Sequence, residues 1–209
     1  MNLQPLFDMQ RELDAKILLK KGLSGQDLLG KKILALQVEL GELANEWRGF
    51  KFWSENQEPR TYGFYDDKDC EYCNGTGTIR EHPSDTGYGC PDCERSGFMH
   101  YNPLLEEYVD CLHFILSIGN ESENKIKENF IHKKKMPNIL DQFMWTNKKI
   151  VEMYQDYRDE DVNTTAYHFT HVFSAIWGLG EMLGFTWEEI EQSYYEKNKI
   201  NHERQNNGY

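Results

Sequence analysis

Apolar residues recur at the helical period through most of this chain, and that spacing restricts the fold more than any other feature. Leu6, Met9, Leu13 and Ile17 make one stripe, ending near Gly22. A second helix is expected to start at Ser24, with Asp27 three residues on as a weak capping signal. Leu29, Ile33, Leu36, Leu40, Leu43 and Trp47 then keep the period until Gly49. Pro103 opens a third helix, where its missing N–H costs nothing. Leu105, Val109, Leu112 and Leu116 carry that helix to a stop near Gly119. A fourth runs from about Asn138 to Tyr157 with Ile139, Phe143, Ile150, Val151 and Tyr154. Phe169, Val172, Phe173, Ile176, Leu179 and Leu183 define a fifth, ending at Gly184. Thr186 with Glu189 is a capping box for a sixth, which carries Trp187, Ile190 and Tyr194. The expected class is all-α, a bundle of about six helices.

Residues 54–102 break the pattern. They hold six of the sixteen glycines, three prolines (Pro59, Pro83 and Pro91) and four of the five cysteines. A composition shift between two helices reads as an insertion, so residues 1–53 and 103–209 are expected to form the helical domain. Within the insertion, Cys70 and Cys73 form one C-x-x-C pair and Cys90 and Cys93 another, sixteen residues apart. Each pair makes a tight knuckle offering two sulfurs, and two knuckles complete a tetrahedron around Zn²⁺. The metal replaces a core that a segment of this size cannot build. A closed four-sulfur set leaves no open position, so the zinc role is structural. The first knuckle, with Gly75 and Gly77, resembles the C-x-x-C-x-G-x-G repeat of DnaJ-type zinc modules; the second keeps only Gly97. Cys111 lies outside the set and reads as a small buried hydrophobe.

Charge narrows the partners. The chain has 23 Lys and Arg against 35 Asp and Glu, a net charge of −12. Duplex DNA and anionic membranes are polyanions, so both are poor partners. No apolar run approaches the ~20 residues that span a bilayer, and no secretory signal is visible, so a cytoplasmic setting is expected. Lys133, Lys134 and Lys135 read as a solvated loop, and His168 and His171 as structural.

The acidic residues are also patterned. Glu39, Glu42 and Glu46 recur at three and four in the second helix, beside its apolar stripe. Glu107 and Asp110 are three apart in the third. Like charges at this spacing repel by a few tenths of a kcal/mol per pair unless something compensates. Oxygen ligands from two facing helices suit Mg²⁺, although spacing alone fits two solvated acidic faces equally well.

The surroundings of these residues carry a resemblance. Leu36, Gln37, Val38, Glu39, Leu40, Gly41, Glu42, Asn45, Glu46 and Trp47, followed by Phe50, Phe52 and Trp53, resemble the first metal-binding helix of the dimeric dUTP diphosphatases. Those enzymes belong to the all-α NTP pyrophosphatase group that includes MazG-like proteins. Glu106, Glu107, Tyr108, Val109, Asp110 and His113 resemble the family's E-x-x-D helix. The run from Tyr195 through Lys197, Asn198, Asn201, Arg204 and Gln205 to Gly208 and Tyr209 is similar to its phosphate-binding tail. Met9, Gln10, Leu13 and Asp14 sit where its first motif would be. The resemblance departs in one respect: sixty-four residues separate Glu42 from Glu107. The zinc segment accounts for them if its two ends meet.

The resemblance implies Mg²⁺-dependent hydrolysis of dUTP to dUMP and diphosphate by a homodimer. Glu39, Glu42, Glu107 and Asp110 would ligate the ions. Glu39, or else Glu42, would position or deprotonate the attacking water. Lys197, Asn201 and Arg204, spaced four and three apart, would face phosphate oxygens, with Asn198 and Gln205 on the adjacent face. Gln10 and Asp14 would read the uracil edge, and Trp47 or Trp53 would pack on the ring. His113 reads as a group supporting the ligands or as a core histidine. Two alternatives stay open: a pyrophosphohydrolase for another nucleotide, such as dCTP, and a non-catalytic zinc-knuckle adaptor. The adaptor requires a basic or aromatic exposed face on residues 54–102, where Arg60, Lys68, Arg80 and Arg95 stand against many acids.

Overall fold

The computed structural model describes residues 3–80, 82, 86–121 and 131–208. Pro83 of the insertion and Tyr209 of the C-terminal run lie outside them. Helix α1 spans Gln4–Lys21 and stops at Gly22, whose φ of 65° is the left-handed conformation of a glycine C-cap. Helix α2 spans Leu29–Trp47, not from Ser24 as the capping signal implied. Gly25, at φ 79°, holds the chain out of helix there. Asp27 still serves the helix start: it accepts the Leu29 N–H at 3.1 Å and the Tyr157 hydroxyl at 2.7 Å.

Helix α3 spans Pro103–Glu121 and runs through Gly119 instead of stopping there. The reason is packing: a Cβ at Gly119 would lie 2.6 Å from the Phe7 ring and 2.9 Å from Phe169. Helix α4 spans Ile139–Arg158, with the Asn138 side chain accepting the Asp141 N–H. Helix α5 spans Val162–Met182. Helix α6 spans Trp187–Asn206 and opens with the expected Thr186–Glu189 capping box. The class is thus all-α, a bundle of six helices among the described residues. α2 pairs with α3 and α4 with α5, while α1 and α6 close over α3. Leu36, Leu40, Leu43, Ile115, Leu116 and Leu179 are fully buried between them, each contributing about 1.5–3 kcal/mol of apolar burial. Cys111 is buried among them.

The segment between α2 and α3 holds four short strands that no alternating pattern announced: β1 Gly63–Asp69, β2 Thr78–Ile79, β3 Tyr88–Gly89 and β4 Phe98–Tyr101. β1 pairs antiparallel with β4, and β2 with β3. The outer pair is a stem that brings the two ends together, with Gly63 opposite Tyr101. Leu104 N–H then bonds Arg60 O at 3.0 Å, and Arg60 N–H bonds Glu46 O at 3.0 Å. The long excursion therefore leaves α2 and α3 packed side by side. No helix is long and apolar enough to cross a membrane.

Candidate active site and metal centres

The pairing of α2 with α3 decides where the acids meet. One carboxylate oxygen from each of Glu39, Glu107 and Asp110 lies within 4.8 Å of the others. Glu42 stands outside this triangle and is exposed, one turn along α2. Glu46 turns away to pair with Arg60 at 2.9 Å. Burial first, then repulsion from Asp110 and Glu42, pushes the Glu39 carboxyl up to about 7. Burial and the charges of Asp110, Glu42 and Glu39 push Glu107 up to about 7 as well. Three hard oxygen donors crowded at a cost to their own ionisation are a site short of positive charge. That donor set fits Mg²⁺.

Lys197 of α6 supplies part of that charge. Its ammonium donates to Asp110 and to Glu106, both at 2.7 Å. Burial works against its charge, but those carboxylates hold its pKa above the usual lysine value. Asn201 and Arg204 lie on the same side of α6, so the three basic and amide groups share one face with the acids.

Beyond Lys197 lies a cavity of about 320 Å³. Glu39, Asp110, Lys197, Asn201 and Arg204 form its charged end. Gln10, Asp14, His113, Ser117 and Gln205 also line it. Gln10 and Asp14 are thus brought to the acids, and both are held firmly. Gln10 donates to Asp14 at 2.8 Å. Asp14 also accepts the Ser117 hydroxyl at 2.6 Å. The Gln10 carbonyl oxygen takes the Tyr194 hydroxyl at 3.0 Å and His113 Nδ1 at 2.7 Å. An amide oxygen only accepts, so His113 carries its proton on Nδ1. Burial, with Lys197 nearby, presses the His113 pKa down to about 3. The ring is therefore neutral and Nε2 is a bare acceptor. That Nε2 is buried with no hydrogen-bond partner, as is Gln205 Oε1. Gln205 is buried, a placement that the packing of α6 decides and its position on the adjacent face does not show. Asn198 is buried as well.

The tryptophans are placed differently. Trp47 packs on Phe143 with centroids 5.4 Å apart. Trp53 is 65% exposed, edge-on to Phe50 and Phe52, and does not line the cavity of its own chain. His168 serves structure, bonding Asp156 through Nδ1 at 2.5 Å. Lys133 and Lys135 pair with Glu181.

The second centre is in the segment between α2 and α3. One sulfur from each of Cys70, Cys73, Cys90 and Cys93 lies within 4.8 Å of the others, and all four residues are buried. Sγ separations are 3.9 Å for Cys70–Cys90 and 3.7 Å for Cys73–Cys93. A tetrahedron with ~2.3 Å zinc–sulfur bonds has edges of about 3.8 Å. Backbone N–H groups of Gly77 and Gly97 donate to the Cys73 and Cys93 sulfurs at 3.2 and 3.3 Å. Both glycines have positive φ, and a Cβ on either would strike the other knuckle's backbone, at Arg95 O and Gly75 O. The set can bind zinc. Around it Tyr62, Tyr72, Tyr88 and Phe98 are exposed.

The fold and the acidic cluster make a helical protein with a site suited to a divalent cation and an anionic ligand. The sequence model of the dUTPase family matches residues 2–66 and 98–209, and the chain belongs to that family. The match breaks off across residues 67–97, which carry the four cysteines. No curated protein matches the chain.

Proposed function

We propose that this protein hydrolyses dUTP to dUMP and diphosphate with Mg²⁺, within the MazG-like, all-α NTP pyrophosphatase group. The observation that carries the reading is the convergence of Glu39, Glu107 and Asp110, of which Glu39 and Asp110 line a cavity that also holds two buried, unpaired acceptors, His113 Nε2 and Gln205 Oε1. Mg²⁺ held by these three, with Glu42 beside them, would neutralise the triphosphate and acidify the attacking water. Glu39 is our candidate to take that water's proton, with Glu42 the alternative. The water oxygen bonds to the α-phosphorus, the α–β bridging bond breaks, and the bridging oxygen departs with diphosphate. Lys197, Asn201 and Arg204 hold phosphate oxygens, and Lys197 trades its bonds to Glu106 and Asp110 for them.

The base preference follows from hydrogen-bond polarity. His113 Nε2 and Gln205 Oε1 are both acceptors, so they select an N–H donor. Uracil presents N3–H, whereas the same position of cytosine is itself an acceptor. Leaving buried acceptors unpaired is costly, which favours dUTP over dCTP. Gln10 and Asp14 orient His113 and Ser117 and form the pocket wall.

We assign a structural Zn²⁺ to the four cysteines and read residues 54–102 as an insertion into the helical domain. A homodimer is proposed because Leu34 and Val38 of α2 and Leu140, Met144 and Val151 of α4 are exposed on neighbouring helices. The test of function is a panel of dUTP, dCTP and dTTP with Mg²⁺, following diphosphate release. Turnover of dUTP well above dCTP is expected; equal turnover would overturn the acceptor argument.

A further inference from the structure

A cavity of about 800 Å³ lies between the β1–β4 stem and helices α3 and α6. Glu106 and Lys197 line it, and Lys197 also lines the smaller cavity with Asp110. The two spaces are therefore neighbours on either side of the Lys197 side chain, which is bonded to Asp110. A nucleotide with its base beside His113 and its α-phosphate beside Asp110 must send its outer phosphates away from the smaller cavity. The larger cleft, across Lys197, would receive them.

The insertion places one cation there. Lys68 is partly buried, its ammonium 3.7 Å from the Tyr65 ring centroid. Tyr65 in turn stacks on Tyr101 with centroids 4.4 Å apart. Packing on the Tyr65 ring, itself held by Tyr101, restricts the lysine before any ligand arrives, so less entropy is lost on binding. Among the described residues Lys68 has no carboxylate partner, so its charge is not already neutralised. Six glutamates also line the cleft, but Glu106 is paired with Lys197, Glu189 with the Thr186 cap and Glu196 with the Gln192 amide, and Glu71, Glu188 and Glu203 are exposed.

Resting on the function proposed above, we infer that Lys68 is a binding residue for the leaving diphosphate, so that the zinc-bearing insertion is one wall of the nucleotide site. Lys68 lies beyond residue 66, where the family match breaks off, so this contact is one the matched part of the family does not contain. The test is calorimetric titration of the zinc-loaded protein with inorganic diphosphate and, separately, with dUMP, both with Mg²⁺. Lys68→Ala should weaken diphosphate binding about tenfold, as loss of one charge-assisted hydrogen bond does, and leave dUMP binding unchanged. Lys68→Arg should restore most of the affinity. Lys148→Ala, on α4 away from the cleft, should change neither, which separates a local contact from net charge. Unchanged diphosphate affinity in Lys68→Ala, or equal loss for both ligands, would overturn the inference. Failure of dUTP turnover with Lys68-dependent diphosphate binding intact would instead sink the substrate assignment and leave this one standing.

Discussion

Glu39 holds its carboxyl up at about 7 because α2 buries it against Asp110 and Glu42, and that strain makes a stability statement. A carboxyl raised above its unfolded value binds more protons when folded, so stability falls as pH rises between the two values. With Glu39 and Glu107 both raised, the metal-free protein should lose melting temperature between about pH 4.5 and 7. Mg²⁺ should restore more stability at pH 8 than at pH 5; a flat profile by scanning calorimetry would contradict this. Glu39→Gln should stabilise the metal-free protein while lowering kcat by roughly 10²-fold or more. Stability and turnover moving down together would mean that Glu39 only supports the fold. At His113 the question is polarity: His113→Leu removes the bare acceptor and should raise KM for dUTP more than it lowers kcat.

Among the elements, α6 carries both a structural and a functional duty. Its capping box satisfies N–H groups that the first turn leaves open. Thr186→Ala should therefore cost about 1 kcal/mol in urea unfolding. Helix α3 was legible from Leu105, Val109, Leu112 and Leu116, but its passage through Gly119 was not. A glycine reads locally as a stop, whereas here it admits Phe7 and Phe169 against the backbone. Gly119→Ala should destabilise by roughly 1–3 kcal/mol through overpacking, measured as a shift in denaturant midpoint. The start of α2 was misplaced for the converse reason: Ser24 has the right chemistry for a cap, but Gly22 and Gly25 adopt positive φ around it.

For the whole molecule, the segment between α2 and α3 is closed by a stem and gathers four sulfurs, so its order should depend on metal while that of the bundle should not. Cys73→Ser should reduce bound zinc and open residues 67–97 to protease, with helical circular dichroism nearly unchanged. Collapse of the helical signal would show that the bundle leans on the insertion. Replacing residues 67–97 by a short turn between Asp66 and Phe98 should likewise spare the bundle.

From the sequence alone came the helical periods, the paired cysteines and the i,i+3 spacing of Glu39 with Glu42 and of Glu107 with Asp110, because these are local properties of a chain; spacing did not decide whether those acids meet. Tertiary packing decided the rest. It drew Glu39 to Glu107 and Asp110 across the β1–β4 stem and left Glu42 at the rim. It carried Trp53 away from the cavity and turned Lys197 onto Asp110. It also buried His113 Nε2 and Gln205 Oε1 with nothing to bond. Those outcomes depend on distances between residues far apart in the chain, and no local period encodes such distances.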